Sequence, residues 1–94
     1  MQSSAFVFTG IIIKEDDSYA AICPELDVAT DGDSAEEASA NLLEAVNLYI
    51  ETAIDANLPY LRPIPADEDP RKTNPEAVVK IFNLKVDIEV KAHA

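Results

Sequence analysis

A chain of 94 residues is long enough for one hydrophobic core and too short for two, so residues 1–94 read as a single domain. Its apolar fraction of 48% argues against intrinsic disorder. Eighteen carboxylates against seven Lys and Arg, a net charge of -11, argue against nucleic-acid and anionic-membrane surfaces and call for a basic partner.

The first element is a strand over residues 6–14, dense in the aromatic and β-branched types that pack on a pleated surface. The apolar run 5–13 is too short to span a bilayer, has no Lys or Arg before it and no small-residue cleavage site after it, so a cytoplasmic protein is expected. Glu15-Asp16-Asp17-Ser18 is a polar turn, and Tyr19–Cys23 returns as a second, antiparallel strand stopped by Pro24. Cys23 is the only cysteine, which leaves no intrachain disulfide or cysteine zinc cluster and reads as a small buried hydrophobe. Residues 26–30 form a short third strand before Asp31-Gly32-Asp33, residue types that tolerate positive φ and favour turns.

Ser34 and Glu37 have capping-box spacing, with the hydroxyl accepting from the Glu37 N–H and the Glu37 carboxylate reaching back to Ser34. An amphipathic helix over about 34–56 follows, its apolar side made of Ala38, Leu42, Ala45, Val46, Tyr49, Ile50 and Ala53. Residues 57–77 hold Pro59, Pro63, Pro65, Pro70 and Pro75 with an Asp67-Glu68-Asp69 run, and read as a connecting segment without regular structure, a mobile tether in preference to a segment with a binding role. Residues 78–91 alternate cleanly, with Phe82, Leu84, Val86, Ile88 and Val90 on one face. At about 3.3 Å per residue this last strand would reach about 46 Å, too long for a small sheet unless it bends at Asn83 or pairs outside it.

The fold class is therefore α+β, an antiparallel sheet of about four strands with one long helix in the order β-β-β-α-β. The first strand is apolar on both faces, Phe6, Phe8 and Ile12 on one and Val7, Ile11 and Ile13 on the other, while a single helix covers only one. A second chain is expected over the other face. The protein is thus read as a homo-dimer or even-numbered oligomer with Phe82, Leu84, Val86, Ile88 and Val90 at the contact.

Chemistry is sparse. His93 is the only histidine and lies next to the C-terminus, with no other base for Ser3, Ser4, Ser18, Ser34 or Ser39, so no catalytic residues are assigned. Gly10 and Gly32 are the only glycines, too few for a phosphate loop. Asp27, Asp31 and Asp33 do not follow the EF-hand spacing, and the acidic setting does not suit base stacking. No metal site, no cofactor and no nucleic-acid binding are expected.

The stretch 19–51 carries a pattern: Tyr19-Ala20-Ala21, Cys23-Pro24-Glu25-Leu26, Asp27-Val28-Ala29-Thr30, Asp31-Gly32-Asp33-Ser34, then Glu36-Glu37-Ala38, Asn41-Leu42, Glu44-Ala45 and Tyr49-Ile50-Glu51. It resembles the HicB family of antitoxins of type II toxin-antitoxin systems. Only a strand follows the proline-rich segment, as in a short form without a DNA-binding module. The resemblance implies a degenerate ribonuclease-H-like domain that has lost its catalytic carboxylates, and no Asp or Glu lies within 6–13. It further implies an antitoxin-like domain that neutralises a small basic mRNA-cleaving toxin of the HicA type by covering its RNA-binding surface. Tyr19, Pro24, Glu25, Asp27, Asp31 and Asp33 are the expected partner contacts. The alternative is a stand-alone oligomeric scaffold or regulatory domain without a toxin.

Overall fold

Alternating apolar side chains lay down four strands: β1 (Gln2–Lys14), β2 (Tyr19–Cys23), β3 (Val28–Gly32) and β4 (Val78–Val90). The computed structural model describes the backbone of residues 2–90 and the side chains of residues 6–87. The strands form one antiparallel sheet in the order β3-β2-β1-β4. The helix α1 (Ala35–Asp55) packs on one face, which gives the α+β architecture read from the sequence.

β4 neither bends away at Asn83 nor leaves the sheet. It is matched by an equally long β1, paired from Gln2↔Val90 to Ile13↔Val78 with a register shift between Ile12 and Ile13. β2 reaches only Ile11 to Lys14, so the rest of β1–β4 is a two-stranded ribbon that stretches the molecule to 51 Å. β3 begins two residues later than the sequence suggests. Asp27 sits at φ 53, which breaks the extended run, and Leu26 turns inward to full burial.

Helix α1 starts where the capping pattern places it. Ser34 Oγ accepts from the Glu37 N–H at 3.1 Å, while the Glu37 carboxylate accepts from the N–H of Asp33, one residue further out than Ser34. At the other end Asn57 takes φ 56, and the N–H groups of Asn57 and Leu58 return to the carbonyls of Ile54 and Ala53. That pair closes the helix as a Schellman turn, with Asn in the left-handed position usually given to glycine. The buried stripe Leu42, Val46 and Ile50 meets Phe8, Ile12, Ala21, Cys23, Leu26, Leu84 and Val86 of the sheet and its turn. Burial of each large side chain contributes about 1.5–3 kcal/mol.

Two expectations change here. Leu84 and Val86 are 3% and 0% exposed, and the ring of Phe82 lies over Gly10, so the proposed oligomer face is the chain's own core. Ile88 and Val90 lie outside the described side chains. Ile11, on the opposite face, is also fully buried but belongs to no helix-side cluster.

The proline-rich segment is folded rather than a free tether. It is anchored at one end by the Arg62 and Ile64 N–H groups on the carbonyls of Glu25 and Pro24, at 3.0 and 2.9 Å. At the other end it enters β4 opposite Ile13. Between these anchors the chain forms short helical turns at Ala66–Glu68, α2 (Pro70–Thr73) and Pro75–Ala77, and it buries Asp69 and Pro70. Prolines stop long helices but are well placed at the first position of short ones, where Pro70 and Pro75 sit. Val7, Val79 and Ile81 stay exposed on the same face of the sheet as Ile11.

Candidate functional site

The six residues expected to meet a partner fall into two groups at opposite ends of the β2–β3 hairpin. Pro24, Glu25 and Asp27 lie in its turn, while Tyr19 pairs with Gly32 and Ala20 with Asp31 at the open end, where Asp33 leads into α1. Asp27 and Asp33 are six residues apart along a nearly extended chain, about 20 Å.

The turn group does structural work. Because β2 ends short of it, the Thr9 N–H on β1 faces no strand. The Glu25 carboxylate takes its place, accepting from the Thr9 N–H at 3.0 and 3.2 Å and from the Thr9 hydroxyl at 2.7 Å. Pro24 is buried and thus withdrawn from solvent, and the Glu25 carboxylate is engaged within the chain. Beside them, Arg71 forks onto Asp69, which holds the Asp69 carboxyl below the usual carboxylate range. Asp27 is exposed, with Arg62 4.0 Å away across a solvated gap, a pairing worth about 0–1 kcal/mol.

Cys23 lies in the same knot. Its thiol is pushed up to about 12, first by burial and then by the Glu25 charge, with its sulfur 3.7 Å from the Glu25 carboxylate. It is a core side chain, and we expect it to be inert to a disulfide thiol reagent at pH 8 in the folded protein and to react within the mixing time once urea unfolds the chain. Rapid labelling of native protein would contradict this placement.

The open end is different. Lys14 pairs with Tyr19, so the Glu15-Asp16-Asp17 turn projects beside Asp31, Asp33 and the first turn of α1 with Glu36 and Glu37. All seven carboxylates are exposed. Tyr19 is half-buried against the core, and the nearby Lys14 ammonium lies 4.4 Å from its ring centre. Of these seven carboxylates the sequence pointed only to Asp31 and Asp33, beside Tyr19. The hairpin register carried the missing signal, because it brings both turns to one edge.

The acidity continues along α1, which carries Glu36, Glu37, Glu44, Glu51 and Asp55 and no Lys or Arg. Beside it Ala45, Leu48, Tyr49, Leu58, Leu61 and Arg62 line a shallow groove of about 670 Å³, with Leu48, Leu58 and Leu61 more than half exposed. Among the described residues no group of three His, Cys, Asp or Glu side chains is arranged to hold a metal ion. Among them, too, no helix is long and apolar enough to cross a membrane. His93 lies outside the described residues. No protein-family model, curated protein or solved structure matches the chain.

Proposed function

We propose that this chain is an antitoxin-like inhibitor of the HicB kind. It binds a small basic ribonuclease of the HicA type and covers the surface that would otherwise hold messenger RNA. The acidic pole carries this reading. Glu15, Asp16, Asp17, Asp31, Asp33, Glu36 and Glu37 gather exposed at one end, where a single Lys is already turned onto Tyr19. Such a surface imitates the charge of an RNA backbone and accelerates encounter with a basic protein. The chain acts by binding and has no catalytic role in this reading, since β1 offers no carboxylate over residues 6–13. The element order agrees with the resemblance carried by residues 19–51.

The test looks for a short basic protein encoded beside this chain, pairs it in purified form with the chain and follows cleavage of a messenger RNA; the absence of any such neighbour would count against the reading. Inhibition at a one-to-one ratio is expected. Changing Asp16, Asp17, Asp31 and Asp33 together to Asn should weaken inhibition at least about tenfold, with a steeper loss at low salt. Undiminished cleavage in the presence of the wild-type chain would sink the reading.

A further inference from the structure

The sheet has two outer strands, and they differ in how they meet solvent. β3 is five residues long and carries exposed Asp31, the kind of short charged edge that resists further pairing. β4 is thirteen residues long, and among the described residues nothing pairs with its outer side. The free edge of β1 beyond β2 is protected differently. Glu25 caps Thr9 there, and the Tyr60 ring meets the Phe6 ring edge-on at 5.6 Å.

Charge selects what fits the open edge. With a net charge of -11, most surfaces of this chain repel a second copy of it. β4 is the exception, because Lys80 and Lys85 offset Asp87 and Glu89, and Val79 and Ile81 stand 55% and 54% exposed along it. A basic protein finds no attraction at this edge, and an identical chain finds no repulsion.

We propose that two copies of the chain pair antiparallel along β4 about a two-fold axis, joining the two four-stranded sheets into one. The register follows from charge. Centred on Val86, the pairing sets Lys85 opposite Asp87 of the partner subunit, and symmetry repeats the contact. Centred on Lys85 it would set that residue against itself, and centred on Leu84 it would leave it opposite an Asn. Lys85 and Asp87 are both exposed, so their charges are free to meet across the new pair. An axis perpendicular to the sheet keeps both α1 helices on one side and both acidic poles clear of the contact. The inference stands independently of the toxin reading.

Light scattering coupled to size exclusion should give about twice 10.2 kDa at micromolar concentration. Lys85→Glu and Asp87→Lys each put two like-charge pairs where two opposite ones stood, and each should weaken the dimer about tenfold to thirtyfold. The double variant K85E/D87K should recover the wild-type affinity, while Leu48→Glu in the helix groove should leave it unchanged. Circular dichroism on each variant separates lost pairing from lost folding. A monomeric wild type, a dimer indifferent to both single changes, or a double variant no tighter than either single one overturns the proposal.

Discussion

Replacing Glu25 by Ala is expected to lower the stability of this domain by about 3 kcal/mol. The carboxylate receives two donors from Thr9, one of them a backbone N–H that β2 is too short to satisfy. Hydrogen bonds to a charged acceptor contribute about 1.5–3 kcal/mol each, and a part-buried N–H left without a partner costs about 1–3 kcal/mol. A domain of this size holds only about 5–14 kcal/mol in total, so the loss is a large share. Glu25→Gln keeps an acceptor for the N–H but removes the charge that also faces the Arg71 guanidinium, and should cost roughly half as much. In urea both variants should lower the midpoint with little change in slope. The same measurement discriminates between roles. A partner-contact glutamate would leave the midpoint where it is and weaken only binding, and that result would return Glu25 to the surface role its sequence context suggests.

The place of Glu25 in the fold shows where local pattern stops being informative. The helix was legible because its signals are local: Ser34 and Glu37 at cap spacing, then apolar residues at three- and four-residue steps. β2 was legible for the same reason, bounded by a polar turn and a proline. The role of Glu25 depends on how far β2 extends along β1, which is a matter of register between segments sixteen residues apart. Beside a proline in an acidic chain, a carboxylate looks like surface until the orphan Thr9 N–H is seen. The proline-rich segment misled in another way. Its composition excludes long helices and strands, yet leaves open short turns begun by Pro70 and Pro75, of which only the first buries its proline. Of the apolar second face of β1, Val7, Ile11 and Ile13, only Ile11 is fully withdrawn from solvent. Leu84 and Val86 of β4 turn inward to the core, leaving the backbone edge of β4 and its charged side chains for an intermolecular role.

Gly32→Ala is expected to cost about 3 kcal/mol, more than Gly10→Ala, although the new methyl at residue 10 would meet its neighbour at closer range. The reason lies in which atoms would have to move. At Gly32 the φ is not positive, so the glycine is not there for a left-handed turn. It is there for space: a Cβ would stand 2.6 Å from the backbone nitrogen of Ala38 and 3.0 Å from the carbonyl carbon of Glu37. Those atoms belong to the first turn of α1, which is pinned to β3 by the Thr30 hydroxyl on the Ala38 carbonyl at 3.0 Å. Asn41 adds a second tie through its side-chain amide on the Asp31 carbonyl at 2.9 Å. Relief requires the helix to lift off the strand and break both contacts. At Gly10 the Cβ meets only the far end of the Phe82 ring, which is half-buried and can swing toward solvent. Phe82→Leu should therefore recover much of the Gly10→Ala loss, and no side-chain replacement should rescue Gly32→Ala. Because Glu36 and Glu37 ride on the displaced turn, Gly32→Ala should also weaken binding of a basic partner even in the fraction that folds. Urea midpoints for the three variants decide the matter: a Gly32→Ala loss smaller than that of Gly10→Ala would mean that the helix start is not held against β3 in the way its hydrogen bonds indicate.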